Sequence, residues 1–448
     1  MKAKYIYQIV LIPFLGALLS CSKFLNVEPK DNTSDAVTIV DETSANTALN
    51  GVYEALASAG YYGQTFQFTT YLRGGDLEWG DSRTVNREFI QRDVRADNEE
   101  VNNVWVAIYR TINRANHVIK KVPTLPDDVI NDTKRDQITG EAYFIRALAY
   151  FDLARVWGGV QLILEPTESL DASKGIPRSS LQDTYAQVLS DLNEAEQRLP
   201  ETTNRVRATK KTVWALKARY YLYQQQWAEA ENYATKLIDD SQYELIKPYS
   251  SWFANNVVGT RESILETTYN AANPNNHRTA WQPPANGGVR RWYPSDAFIQ
   301  QITDPAIGGG RKALVAQSND GSWYGNLYYR TPAVDPSYIL RIAEMYLIRA
   351  EARAHQAGKR SLALADLNAV RDRAELLPLA LSDEQELLLA IEKEKHYEFA
   401  FEPHYWFDLV RTGRVGAVLN VTDPNKYVLP IPIAQLLVDP ALTPNPGY

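Results

Sequence analysis

The sequence predicts a mainly α protein: about four tetratricopeptide-like helical hairpins in a superhelical array, plus an irregular, loop-rich binding lobe. Three observations carry this. Apolar residues recur at steps of three and four through much of residues 42–240 and 337–413, the spacing of one helical face. Segment 208–240, ATKKTVWALKARYYLYQQQWAEAENYATKLIDD, places Ala218, Tyr221, Trp227 and Ala230 where a repeat of about 34 residues sets its small and large packing residues. From about 241 to 336 the periodicity stops, and glycine, proline, asparagine and aromatic residues take over. A stretch of that length inside a folded chain marks a functional surface.

Each element has its own signal. A first helix is expected from Asp41, capped by Thr43 or Ser44, with Ala48, Val52, Ala55, Leu56 and Ala59 in register and Gly60 as its stop. Tyr61 to Asp97 breaks the pattern with scattered glycines and reads as a long loop. Periodicity returns at 98–122, 133–157 (closed by Gly158-Gly159) and 181–199. Tyr338 to Ala374 reads as two helices around Gly358: Leu340, Ala343, Leu347, Ala350 and Ala354 form one stripe, and Ala363, Leu367, Val370 and Ala374 the other. The short connection forces them antiparallel, and the alanines let their backbones approach closely. Asp383 to Arg411 is a further helical stretch, and a proline-rich extended tail closes the chain within 414–448.

The first twenty residues differ from the rest. Lys2 and Lys4 precede an apolar run from Ile6 to Leu19, too short to span a bilayer comfortably and flanked as a secretory signal is. It ends Leu18-Leu19-Ser20-Cys21, which resembles a bacterial lipobox, with an ordinary signal peptide and a chance cysteine as the alternative. Cys21 is the sole cysteine, so lipidation there leaves no thiol for catalysis, metal binding or a disulfide. The mature body is then 21–448, a single domain anchored to lipid through Cys21, with Ser22 to Ala36 as a polar tether. Cleavage removes two lysines and no acid, which moves the net charge from −7 to −9 and argues against nucleic acid as a partner.

These landmarks together resemble the SusD/RagB-like surface lipoproteins of Bacteroidetes. The start CSKFLNVEPKD, the helix RIAEMYLIRAEA (341–352) and the ending LPIPIAQLLVDPALTPNPGY are similar to that family's signatures. So is the glutamate ladder Glu394, Glu398, Glu402 followed by Trp406-Phe-Asp-Leu-Val-Arg411. Lys395 and Tyr405 depart from the usual arginines. Pro403 departs from the usual glycine and should kink or end the helix near Glu402. The resemblance implies a surface-exposed, non-enzymatic protein without cofactors that binds oligo- or polysaccharide. It implies delivery to a partner SusC-like TonB-dependent outer-membrane transporter.

Aromatic faces cover the apolar face of a sugar ring, while carboxylates, amides and arginine bond its hydroxyls. Trp105, Trp157, Trp214, Trp227 and Trp406 lie in helical patterns and read as core. Trp79, Trp252, Trp281, Trp292 and Trp323 lie outside them. The carbohydrate-binding candidates are therefore Arg73, Asp76 and Trp79 in the first loop, and Trp281, Asn286, Arg290, Trp292, Tyr293, Trp323 and Tyr324 in the insert. For Arg73 and Asp76 the competing reading is a mutual surface ion pair. The resemblance places family ligand positions in equivalent loops.

Other chemistry has weaker support. Glu394, Glu398 and Glu402 share a helical face, so an all-helical glycoside hydrolase is an alternative, but ion pairs with Arg341, Arg371 and Arg373 explain the spacing better. A tetratricopeptide scaffold for peptide or protein is a further alternative. The five histidines show no metal spacing, no HExxH, EF-hand or GxSxG occurs, and Gly308 to Lys312 lacks the hydroxyl residue of a phosphate loop.

Overall fold

A computed structural model describes residues 38–169, 174–254 and 258–448. Cys21, the signal segment and the tether lie outside these residues. Helix α1 (Glu42–Leu56) is capped by Asp41 rather than by Thr43 or Ser44. The Asp41 carboxylate accepts from the Ser44 N–H at 2.8 Å, and the Ser44 hydroxyl completes a capping box. Segment 61–97, expected as a loop, holds α2 (Thr65–Tyr71), strand β1 (Leu77–Trp79) and α3 (Thr84–Gln91). Every residue of α2 is buried, its threonines and Gln67 included, so no exposed face exists to give it a helical period.

The array follows with α4 (Glu99–Lys121), α5 (Asp132–Trp157), α6 (Leu181–Arg198), α7 (Lys210–Tyr223) and α8 (Trp227–Ile238). Helix α5 is its hub: from Ile138 to Trp157 every side chain but Tyr143 is buried. Its polar members are therefore paired. Arg146 holds Asp191 of α6 through bonds of 2.8 and 2.7 Å, Glu141 accepts from Tyr53 and Arg207, and Asp152 accepts from Tyr61 at 2.6 Å.

After α8 the chain makes an excursion through β2 (Ser263–Thr267), α9 (His277–Trp281), β3 (Trp292–Pro294), α10 (Asp296–Thr303), β4 (Val315–Gln317), β5 (Trp323–Gly325) and β6 (Ser337–Arg341). It re-enters the array at α11 (Ile342–Ala354), which packs on α8. Strands β2 and β6 pair antiparallel, Thr267 against Ser337, and are buried along their whole length. Residues 338–341, expected as helix, are thus strand. Tyr338 and Leu340 are apolar at helical spacing, but the backbone of this segment bonds across to β2.

Helices α11 and α12 (Arg360–Arg373) form the expected hairpin, turning through Gly358 at φ +78°. Ala343, Leu347, Ala350 and Ala354 meet Ala363, Leu367 and Val370 in one cluster with Leu387 and Ile391 of α13 (Glu384–Glu398). Helix α13 ends at Glu398, before Pro403, with Phe401 at φ +68°. Then come α14 (Tyr405–Arg411) and α15 (Val415–Leu419), and the tail expected to be extended carries, besides α15, a 3-10 turn at Pro424–Tyr427 and α16 (Ile433–Val438). Among the described residues no helix is long and apolar enough to cross a membrane.

Candidate functional site

Strand β1 comes from the first irregular segment and β3 from the insert, yet they pair antiparallel with Leu77 opposite Pro294, Glu78 opposite Tyr293 and Trp79 opposite Trp292. Side chains alternate across a strand, so the pair has two faces. Leu77, Trp292 and Pro294 are buried, with half-buried Trp79 against them, while Glu78 is exposed and Tyr293 half-exposed.

The inner face is core. Trp292 is 0% exposed and Trp281 1%, against the expectation that both meet ligand. Their rings lie 5.9 Å apart at 85°, and Tyr71, Phe68 and Phe401 close around them. A Cβ on Gly325 would stand 2.4 Å from the Trp281 ring, so β5 reaches that ring only with glycine there. Trp252 is also buried, lying 4.2 Å beneath the Arg341 guanidinium. In an irregular segment no period separates a ring that supports the surface from one that forms it.

The outer side gathers the remaining candidates. The Arg290 guanidinium lies 3.9 Å over the Tyr293 ring, and its Nε donates to the Trp323 carbonyl at 2.8 Å. Arginine thereby ties β3 to β5 and holds the Tyr293 ring in place. Burial and the neighbouring Glu78 carboxylate push the Tyr293 hydroxyl up, so it stays protonated and able to donate at neutral pH. Asn286 is exposed, its amide donating to Gln282 Oε1 at 2.9 Å and reaching Tyr324 Oη at 3.4 Å. Tyr324 itself is 9% exposed. Trp79 and Trp323 are each half-exposed. Glu78 is a residue that the sequence reading missed; alternation within Leu77-Glu78-Trp79 is the signal that could have found it.

Arg73 and Asp76 do not pair. Arg73 is 3% exposed, its guanidinium 3.7 Å over Trp406, and it donates to the Lys426 carbonyl. Burial without a carboxylate partner lowers it to about 9. It is a brace of the core, not a ligand contact. Asp76 is held instead by His396 Nε2 at 2.8 Å, and that imidazole stacks on Tyr405 at 3.8 Å and 7°. Tyr405 thus fixes the ring that anchors the start of β1.

The glutamate ladder is structural. Glu398 accepts from Arg311 at 2.9 Å, Arg341 at 3.1 Å and Arg373. Glu394 accepts from Arg311 at 2.5 Å and Arg371 at 3.0 Å, and Glu402 from Arg341 at 2.6 Å. Glu262 completes the set through Arg341 and Arg373, both at 3.0 Å. Each carboxylate is committed to guanidinium groups in the interior, an arrangement unlike a pair flanking a solvent-accessible bond. Among the described residues no group of three His, Cys, Asp or Glu side chains is placed to hold a metal.

A family model described as starch-binding and associating with the outer membrane matches residues 23–222, and the SusD family model matches 328–421. The chain belongs to the SusD/RagB family. Residues 223–327, which hold β3 and β5, lie between the two matched stretches. SusD-like protein P38 of Formosa agariphila is 28% identical over 97% of each chain. The starch-binding protein SusD of Bacteroides thetaiotaomicron is 25% identical over 69% of this chain and 72% of its own. A solved laminarin-binding SusD-like protein superposes with a TM-score of 0.80 at 24% identity, covering 92% of this chain and 100% of that one. The superposition supports the array-plus-insert fold of the SusD-like proteins.

Proposed function

We propose that this chain is a surface-exposed outer-membrane lipoprotein, anchored through Cys21, that binds oligo- or polysaccharide without cleaving it and passes it to a TonB-dependent transporter. The observation that carries the reading is the pairing of β1 with β3, which sets Glu78 and Tyr293 on one outer face with Arg290 over the Tyr293 ring and Trp323 tied to it by Arg290, while Trp79, on the inner face against Trp292, is half-exposed at its edge. Ring faces there take the apolar face of a pyranose, and Arg290, Glu78, Asn286 and the Tyr293 hydroxyl offer donors and acceptors at its edge. Trp281, Trp292, Arg73 and Tyr324 act as the supporting layer. Family membership and the starch and laminarin named for similar proteins support the ligand class.

The test uses soluble chain beginning at Ser22, with starch and laminarin in affinity gels. The expected result is retarded migration on at least one of them, with no reducing ends released and with retardation lost in the Tyr293→Ala, Trp323→Ala double variant. Unchanged retardation in that variant would overturn the platform, and reducing-end release would overturn the non-enzymatic reading. Cys21→Ala in the full chain should move the protein from the membrane to the soluble fraction.

A further inference from the structure

A cleft of about 270 Å³ opens on the helical array, in contact with none of the strands just described. One wall is the turn from α7 to α8, carrying Tyr223 and Trp227; the facing wall is α13, carrying Leu388 and Leu389; the floor holds Glu351, Lys395, Asp408 and Arg411. Trp227, expected as core, is only half-buried, and its indole lies parallel to the His355 imidazole at 4.1 Å and 19°. The turn that leads into this ring is tight: Gln225 adopts φ +55° two residues before α8 begins.

The charges in the cleft cancel. Arg411 bonds Glu351 at 2.6 Å and Asp408 at 2.6 Å, Lys395 bonds Glu351 at 2.5 Å, and Arg414 bonds Glu392 at 3.0 Å. Three carboxylates and three cations line the site, each with an opposite partner. A charged ligand would have to break one of these pairs, all but Arg414–Glu392 largely buried, and leave a charge uncompensated. A neutral molecule rich in hydroxyls would not: it can bond the free edges of the pairs and the Gln385 and Thr412 side chains at the rim, with a ring face against the His355–Trp227 stack. The volume lies just below the usual range for ligand pockets, room for one or two sugar rings rather than a long chain.

We propose that this cleft is a second saccharide site, selective for short neutral sugars and independent of the loop surface. The test runs in the Tyr293→Ala, Trp323→Ala chain, so that loss of the loop surface and failure of the cleft are read separately. The five histidines are 13C-labelled, and the His355 ring resonance is followed while maltose, cellobiose, laminaribiose or glucuronate is added. At least one of the three disaccharides should shift it saturably with a Kd of about 1–10 mM, and glucuronate should bind at least about tenfold more weakly. Leu389 is 39% exposed at the mouth, so Leu389→Trp should fill the cleft and abolish the shift while leaving Tm unchanged. Absence of a His355 shift with all three disaccharides, equal binding of glucuronate, or a shift that survives Leu389→Trp would each overturn the proposal.

Discussion

Replacing Glu398 by glutamine keeps the shape of a fully buried side chain and removes its charge. In the folded protein that carboxylate faces three guanidinium groups, and although burial pushes it up, Arg373, Arg311 and Arg341 hold it at about 2, against an ordinary value of 4.5. Arg311 and Arg373 would keep Glu394 and Glu262, but each would lose its second carboxylate. Breaking one member of a buried charge set costs about 3–5 kcal/mol. Unfolding entropy of about 2.1 cal/mol/K per residue over 448 residues gives roughly 0.9 kcal/mol/K, so Glu398→Gln should lower Tm by about 3–5 °C at pH 7 in a calorimetric scan.

The pH dependence sharpens this prediction. A carboxylate whose folded value is depressed stabilises above its unfolded value and loses that stabilisation as pH falls. The contribution of Glu398 is therefore complete above about pH 4.5 and fades toward about pH 2, a change of roughly 3 kcal/mol. The difference in Tm between parent and variant should shrink across that window. A shift below about 1 °C at pH 7, a gain of stability, or a difference that does not narrow in acid would refute the reasoning.

Trp281→Ala should cost about 3–5 kcal/mol through the cavity it leaves, whereas half-exposed Trp323→Ala should leave Tm within about 1 °C and weaken glycan retention; calorimetry and affinity gels on the two variants check this together. Gly325→Ala drives a methyl into the Trp281 ring and should lower stability by about 1–3 kcal/mol, measured by denaturant unfolding. Arg290→Ala frees Tyr293 and unties β5 from β3. It should weaken retention about as much as Tyr293→Ala does, and the double variant should be less than additive.

The array was legible because α11 and α12 each bury one stripe against the other, so the period of three and four that packs Ala343 on Ala363 is written in the chain. The glutamate ladder was legible too: the spacing from Glu394 to Glu402 and its arginine partners follow from charge alone, although Arg311, far off in the insert, did not announce itself. Helix α2 was not legible, because uniform burial erases amphipathic contrast. Strand β6 was not, because a wholly buried strand leading into a helix shows no alternation. At the site, the segments were located but their register was not. That Trp79 faces Trp292 is a pairing between positions more than two hundred residues apart, and only that pairing decides which tryptophan is lid and which is foundation.

The clasp formed by β2 and β6 has a consequence for how the insert can vary in length. The excursion leaves and returns at neighbouring points, with Thr267 beside Ser337, so whatever is threaded between them is tethered at one hem. Doubling the length of a flexible loop adds only about 0.6 kcal/mol of closure entropy. Length can therefore change in those stretches of the excursion that the array does not hold, while Arg311 on Glu394 and Glu398 and Trp281 on Phe401 remain fixed stitches between insert and helices.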